Sequence, residues 1–159
     1  QVTILWIDNF GDMEIRAFQF YSTEYEQMVS LRITELLDPI GVPPSYIESE
    51  KEKHDLFIGA FENREMIGCC VLTPKTEDTL QLRQMAVRSD YRGKGVGTAI
   101  VEFAEEIARE NNFSVLMMHA RDAVINFYQK CGYAISGAQF FEVGIPHHKM
   151  QKQLSRPLV

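Results

Sequence analysis

A glycine-rich loop flanked by basic residues is the part of the sequence best suited to chemistry. Residues 82–98 read as a strand, a loop with glycines at 93, 95 and 97, and the start of an amphipathic helix. The first amides of a helix have no internal acceptor, and the helix dipole adds about half a positive charge there. Glycine lets the main chain approach an anion closely, and Arg88, Arg92 and Lys94 add positive charge. The pattern predicts a site for a di- or triphosphate group.

Two common phosphate-binding patterns do not fit this loop. A Walker loop needs a hydroxyl residue directly after its lysine, whereas Lys94 is followed by Gly95. The dinucleotide pattern G-x-G-x-x-G would require glycine at position 98, which is threonine. The loop therefore predicts an anion site of another class.

Composition limits the classes of function. The chain has 159 residues, 45% of them hydrophobic, which predicts one domain with its own core. The net charge of −6 argues against a nucleic-acid partner and favours a cationic small molecule. No apolar run approaches the ~18 residues of a membrane span, so no membrane partner is expected.

The cysteines predict a reducing compartment. Cys69, Cys70 and Cys131 are an odd number without metal-ligand spacing, so neither a disulfide framework nor a metal site is expected. No signal-peptide pattern opens the chain, and together these features predict a cytoplasmic protein. Cys69 and Cys70 lie in an apolar run and are predicted to be buried.

The first half of the chain predicts strands on both sides of one helix. Residues 1–13, with alternating Val2, Ile4 and Trp6, are either an N-terminal extension or an extra strand, and residues 9–12 read as a turn. Residues 14–20 alternate as a strand, and residues 22–37 have helical spacing with Ser22 as N-cap and an end before Pro39. A loop of about 17 residues precedes three strands at 55–61, 66–74 and 80–87.

The second half predicts a strand–helix–strand unit. The helix from Gly97 onward has an apolar stripe, and its acidic residues, among them Glu105, are predicted to face solvent. Residues 114–119 form a short apolar strand, predicted to be parallel to strand 80–87 because a crossover of about 26 residues is too long for a hairpin. A short helix from Asp122 to Gly132 and strands at 133–142 and 147–154 follow.

Five sequence segments resemble one enzyme family. Residues 92–97, RGKGVG, fit the pattern R/Q-x-x-G-x-G/A of the GNAT superfamily of acetyl-CoA-dependent N-acyltransferases, and residues 85–87 are similar to the strand end before it. Residues 126–133, NFYQKCGY, resemble the family's F-Y-x-K-x-G-F/Y helix. The hairpin at 140–150, and the segment around Leu31 and Pro39, look like those of the small bacterial ElaA-like subgroup. The resemblance covers roughly residues 14–154, and a single domain of that family is expected over 14–155.

The resemblance implies a fold and a cofactor. The fold would be α/β (α+β), with a mixed central sheet of about six or seven strands, splayed at the cofactor site, and about four helices. Acetyl-CoA would be the co-substrate, with no metal, its pantetheine arm pairing with a strand edge and its pyrophosphate on the glycine loop. The residues implied to bind it are Met85, Ala86, Val87, Arg92, Gly93, Lys94, Gly95, Val96, Gly97, Thr98 and Asn126.

The resemblance also implies catalytic residues. Tyr128 matches the tyrosine that family members place beside the thioester sulfur as general acid. A phenol of pKa ~10 gives a proton to a thiolate of pKa ~8.5 only at a cost of about 2 kcal/mol, so hydrogen bonding to the thiolate is expected as much as proton transfer. Residues 81–84 lack the carboxylate that some members use as base, which leaves Glu142, His147 or a water chain.

Two functions remain open from the sequence. One is acetyl transfer from acetyl-CoA to a primary amine of a small molecule or protein, by direct attack in a ternary complex. The other is a non-catalytic domain of the same fold that binds acyl-CoA as a sensor. Tyr128 favours the enzyme, and the missing strand carboxylate keeps the sensor open. Either a monomer or a homodimer is expected.

Overall fold

Nine strands form one sheet in the described part of this computed structural model, which comprises residues 3–8 and 11–155, with side chains described over 13–155. The strands lie in the order β1-β2-β3-β4-β5-β6-β9-β7, and β8 pairs with β9. From β1 to β9 they span Thr3–Asp8, Gly11–Phe18, Leu56–Glu62, Glu65–Pro74, Thr79–Val87, Val115–Arg121, Ala134–Ile135, Phe140–Glu142 and Ile145–Gln153. Val2 and the first two residues of the predicted 9–12 turn lie outside the described residues.

Three α-helices cover the sheet within this described part: α1 (Thr23–Arg32), α2 (Val96–Glu110) and α3 (Ile125–Lys130). The predicted N-cap of α1 is confirmed, because the Tyr25 amide donates to the Ser22 hydroxyl at 3.1 Å. A π-helical turn, Ile33–Leu37, extends α1. A 3-10 turn, Asp38–Ile40, follows it and ends at Gly41. Gly41 has φ 71°, a left-handed conformation that glycine adopts at little cost, so the chain leaves the helix there. No helix among the described residues is both long and apolar enough to span a membrane.

The core has one part on each face of the sheet. α1 packs on one face, where Met28, Phe57 and Val71 are buried. α2 and α3 pack on the other face, where Ile100, Phe103 and Tyr128 meet Leu80, Leu116 and Met118. Fully burying one such large apolar side chain contributes about 2 kcal/mol, so the apolar stripe of α2 fixes that helix on the sheet.

The predicted strand–helix–strand unit is confirmed. β5 pairs with β6 in parallel, and α2 connects them. β3, β4 and β5 are successive antiparallel neighbours, as the predicted meander requires. The mixed α/β fold predicted from the resemblance is therefore present.

The element counts differ slightly from the sequence prediction. It expected about six or seven strands and about four helices, whereas the described residues contain nine strands and three α-helices. The predicted strand 133–142 is two short strands, β7 and β8, separated by residues 136–139, where Gly137 has φ 93°. The final hairpin turns at Val143 and Gly144 alone, and Pro146 lies within β9, opposite Phe141.

Glu105 also departs from its predicted solvent exposure. Its side chain is buried, accepts a hydrogen bond from the Tyr133 hydroxyl at 2.7 Å, and lies 3.1 Å from the Lys152 ammonium. A buried carboxylate is tolerated when it is paired and hydrogen-bonded. Glu105 therefore connects α2 to β9 and to the chain that follows α3.

Candidate active site

Pairing between β5 and β6 stops after the first three residues of β5. It covers only Thr79 to Gln81 and Val115 to Met117. Beyond this point β5 continues to Val87, paired only with β4, while β6 continues to Arg121, paired only with β9. In the described chain no strand pairs with the β6-facing edge of β5 after Gln81. This is the predicted splay, and it leaves a gap bordered by main chain that can pair with an extended ligand.

A bulge in β5 redirects the strand beside the gap. The register with β4 shifts between Cys69 and Val71, and opposite this shift Gln84 has φ 54°. A left-handed conformation at a residue other than glycine is uncommon and costs free energy, so surrounding contacts must hold it. The Arg32 guanidinium donates from Nε to Gln84 Oε1 at 3.3 Å. The bulge lies directly before residues 85–87, the predicted pantetheine-binding segment.

A buried ion pair supports that bulge. Arg32, only 1% exposed, donates two hydrogen bonds to Glu52 at 2.9 and 2.8 Å, and Tyr25 donates a third at 2.7 Å. Burial alone would raise the pKa of Glu52, but the hydrogen bonds and charge of Arg32 hold it below its ordinary value. The pair connects α1, the α1–β3 loop and β5.

The glycine loop has the geometry of an anion site. Gly93 and Gly95 have φ 73° and 92°, and Gly95 is the N-cap of α2, whose first helical hydrogen bond runs from the Ala99 amide to the Gly95 carbonyl at 3.0 Å. The amides of Val96, Gly97 and Thr98 make no hydrogen bond within the described chain. Three amides at the positive end of a 15-residue helix are therefore available to an anion.

Gly97 acts differently from the other two glycines. A Cβ at position 97 would lie 3.1 Å from Phe127 Cζ, whereas a Cβ at position 93 or 95 would meet nothing within 4 Å. Gly97 therefore allows α2 and α3 to pack closely, while Gly93 and Gly95 allow the backbone conformation. This contact places α3, which carries the exposed Asn126, against the start of α2.

Carboxylates already pair with two of the basic residues at the loop. Arg92 Nη2 lies 2.6 Å from Glu35 Oε1, and the Ser89 amide donates to the other Glu35 oxygen at 3.3 Å. Arg88 pairs with Asp90 at 2.7 Å and Glu65 at 3.2 Å. The arginines therefore add less positive charge than the sequence implied, and the amides make up more of the anion site. Sequence reasoning missed Glu35, since nothing local marks a helical glutamate as a partner of a loop 57 residues away.

Tyr128 lies on the face of the sheet covered by α2 and α3. It is 5% exposed, and its ring packs edge-on against Phe127 and Tyr133 at centroid distances of 5.0 and 6.2 Å. Burial raises the pKa of its phenol. None of the hydrogen bonds found in the described chain uses its hydroxyl, so that group can bond to a ligand atom.

Glu142 and His147 come together on the opposite face. Glu142 Oε2 lies 3.9 Å from His147 Nε2, and Glu142 Oε1 lies 2.7 Å from Nδ1 of His119, a residue that sequence reasoning did not select. The His147 ring is buried and its Nδ1 donates to the Ile145 carbonyl at 2.7 Å. The one local signal for His119 was a polar residue at the end of an otherwise apolar strand. No group of three ligands able to hold a metal occurs among the described residues.

Comparison with known proteins gives a family. The sequence model of the Acetyltransferase (GNAT) family matches residues 16–133. The uncharacterized protein YyaT of Bacillus subtilis is 40% identical over 78 residues, which are 49% of this chain and 53% of that protein. The chain spans about half the length of the curated relatives it matches.

Solved structures share the fold. A candidate N-acetyltransferase from Lactobacillus plantarum superposes with a TM-score of 0.82 at 22% identity, covering 90% of this chain and 99% of that one. Escherichia coli ElaA gives a TM-score of 0.77 at 16% identity, covering 89% of this chain and 99% of ElaA. A GNAT family acetyltransferase from Elizabethkingia anophelis, solved with acetyl-CoA bound, gives 0.69 at 19%, covering 89% and 98%. With the family model matching most of its length, this chain belongs to the Acetyltransferase (GNAT) family.

Proposed function

We propose that this protein transfers an acetyl group from acetyl-CoA to a primary amine. Two features found together carry the proposal. One is the unpaired edge of β5 after Gln81, and the other is the set of available amides at the start of α2. Together they suit a ligand with an extended amide-containing arm and a pyrophosphate. Coenzyme A has both groups, and the Elizabethkingia anophelis relative was solved with acetyl-CoA bound.

The main chain does most of the binding in this proposal. Residues 85–87 pair with the amides and carbonyls of the pantetheine arm as an added strand would. The loop and helix start at 92–98 hold the pyrophosphate, with Val96, Gly97 and Thr98 donating their amides. Asn126, beside the Gly97 and Phe127 contact, adds a polar side chain near the same ligand.

Tyr128 stabilises the thiolate that leaves. Its raised pKa makes full proton transfer to a thiolate more costly than the ordinary phenol value implies. A hydrogen bond from the hydroxyl to the developing negative charge is strengthened by the buried site and needs no proton transfer. The sulfur then takes its proton from Tyr128 or from water.

The amine attacks the thioester directly in a ternary complex. Cys69 and Cys70 are fully buried, and burial raises the pKa of Cys69 to about 12. Burial also raises the pKa of Cys131, so none of the three thiols is an activated nucleophile. The proton lost by the amine leaves on the other face of the sheet, where Glu142 and His147 lie close together. The net charge of −6 favours a cationic acceptor.

Thiol release provides the test. The chain is incubated with acetyl-CoA and a panel of primary amines: spermidine, histamine, lysine and an aminoglycoside. At least one amine is expected to raise thiol release well above the rate of acetyl-CoA hydrolysis without amine. The acetylated product is then identified by mass spectrometry. Gly95→Asp serves as a matched control that leaves the face bearing Glu142 and His147 intact. Tight binding of acetyl-CoA without transfer to any amine would contradict catalysis and support the sensor function.

A further inference from the structure

His119 occupies the position on β6 that borders the gap. Met117 is the last β6 residue paired with β5, so His119 lies two residues beyond the end of that pairing. Met118 and Ala120 are buried in the core cluster that contains Tyr128, and alternation puts His119 on the opposite face. Its side chain is 36% exposed. His119 and Tyr128 therefore lie on opposite faces of the sheet at the splayed region.

The partners of the His119 ring define its proton positions. Nδ1 lies 2.7 Å from Glu142 Oε1, and a carboxylate can only accept, so Nδ1 carries the proton of the neutral ring. The lone pair is then on Nε2, which takes part in no hydrogen bond within the described chain. The Phe140 ring packs edge-on against His119 at 5.0 Å and limits the orientation of the imidazole. A neutral imidazole with a fixed tautomer is prepared to accept a proton.

We propose that His119 Nε2 takes the proton from the attacking amine, and that Glu142 is the positioning residue that holds its tautomer. The assignment rests on the proposed function. In the step, the amine lone pair forms the new C–N bond to the thioester carbonyl carbon, and the C–S bond breaks with its electron pair on sulfur. One amine proton moves to Nε2 and later to water, while the thiolate is stabilised from the Tyr128 side.

The order of the strands favours His119 over the two residues selected from the sequence. β6 borders the gap, whereas β9 and then β8 lie beyond it, so His147 and Glu142 are one and two strands further away. His147 is also buried, at 5% exposure, and its Nδ1 is bonded to the Ile145 carbonyl. Glu142 is accessible but uses one oxygen for His119. Glu142 and His147 therefore support His119 from the side away from the gap.

The charged groups around His119 come from three strands. Glu142 faces it from β8, Lys149 lies directly opposite it on β9, and Arg121 shares its face two residues along β6. His147 on β9 lies next to Glu142. The same sheet supplies a matched control, because His148 Nδ1 lies 2.7 Å from Asp122 Oδ1 and the register of His148 with Ala120 puts this second pair on the opposite face.

The experiment compares His119→Ala, His119→Gln, Glu142→Gln and His148→Ala, using the panel amine that the wild-type chain acetylates fastest. General-base catalysis contributes about 10²- to 10⁴-fold, so His119→Ala and His119→Gln should lower kcat by about 10²-fold or more, with KM for acetyl-CoA within about twofold. Glu142→Gln should lower kcat about tenfold, since the amide keeps a hydrogen bond but loses the charge. His148→Ala should stay within about twofold of wild type.

Added imidazole distinguishes a proton acceptor from a structural residue. It should raise the turnover of His119→Ala severalfold and leave that of His119→Gln, whose side chain fills the space, unchanged. Turnover of His119→Ala within threefold of wild type, or a loss of the same size in His148→Ala, would overturn the assignment of His119 alone. A wild-type chain that acetylates no amine would overturn the proposed function and this assignment with it.

Discussion

One stretch of chain, residues 85–98, is the proposed cofactor side of the candidate site, whereas three separate strands each give one side chain to the proposed opposite side. On the first side the proposed binding groups are main-chain amides at a strand edge and a helix start. On the second they are the side chains of His119, Glu142 and His147. A site made of main chain depends on backbone conformation and tolerates many side chains. A site made of side chains depends on single atoms. Substitutions there can therefore change which acceptor binds while the cofactor stays the same.

The largest effect is expected from breaking the buried pair behind the bulge. Arg32→Met leaves Glu52 buried without its partner, which should cost about 3–5 kcal/mol of unfolding free energy. The matched control is Arg16→Met, which removes a half-exposed pair with Glu14 and Glu24 and should cost about 1 kcal/mol or less. Denaturant unfolding measures both variants. Equal losses in the two would show that burial of the Arg32 pair does not matter.

The same pair sets the sign of a pH dependence. The pKa of Glu52 is lowered in the folded protein, so the pair stabilises above the ordinary value of 4.5 and this contribution is lost as pH falls through the folded pKa. Glu52→Gln should therefore make the melting temperature less dependent on pH in the acidic range. Melting curves between pH 3 and 7 measure this, and an unchanged acid slope would contradict the assignment.

The cofactor side is tested most strongly at Gly95. Gly95→Asp combines a left-handed φ of 92° with a negative charge at the anion site, so CoA affinity should fall on the order of 10²- to 10³-fold. Gly95→Ala shares the backbone strain without the charge and should lose much less. Calorimetric titration with CoA compares the two variants. Equal CoA affinities of Gly95→Asp and Gly95→Ala would contradict the proposal that this loop binds the anionic part of CoA.

Tyr128→Phe comes next in size. Loss of the hydroxyl should lower kcat by about 10²-fold with little change in CoA affinity, because the group acts on the leaving thiolate. Tyr133→Phe is the control, since it removes another buried hydroxyl, bonded to Glu105, and should reduce stability more than turnover. Near-wild-type turnover of Tyr128→Phe together with loss of turnover in Cys131→Ala would instead indicate a covalent route.

The smallest effect is expected at Glu35. Its carboxylate competes with a phosphate for Arg92, so Glu35→Gln should tighten CoA binding about threefold at low salt and less at high salt. Glu65→Gln, which removes a partner of Arg88, serves as the control and should change affinity less. Weaker binding in Glu35→Gln would mean that Glu35 organises the loop more than it competes with the ligand.

The two sides differed in how much the sequence could predict. The local signals on the cofactor side are the glycines at 93, 95 and 97, the strand before them and the apolar stripe after them. From these signals the helix start and the parallel strand pair were predicted. The pairing of His119 with Glu142 depends on strands that meet only in the folded sheet, 23 residues apart in sequence. The contacts of Glu35 and Arg32 are also long-range, so the local spacing of residues does not predict them. For the same reason Glu105 was placed in solvent, because its partners Tyr133 and Lys152 lie outside its helix.

Amide hydrogen exchange with and without CoA tests the central claim most directly, because it reads the main chain itself. If coenzyme A lies along β5 and on the start of α2, exchange should slow in residues 85–87 and 93–98 and stay unchanged in β1 and β2 at the far edge of the sheet. Protection that leaves both segments unchanged, or that appears only on the α1 face, would contradict a cofactor site built from the main chain of this gap.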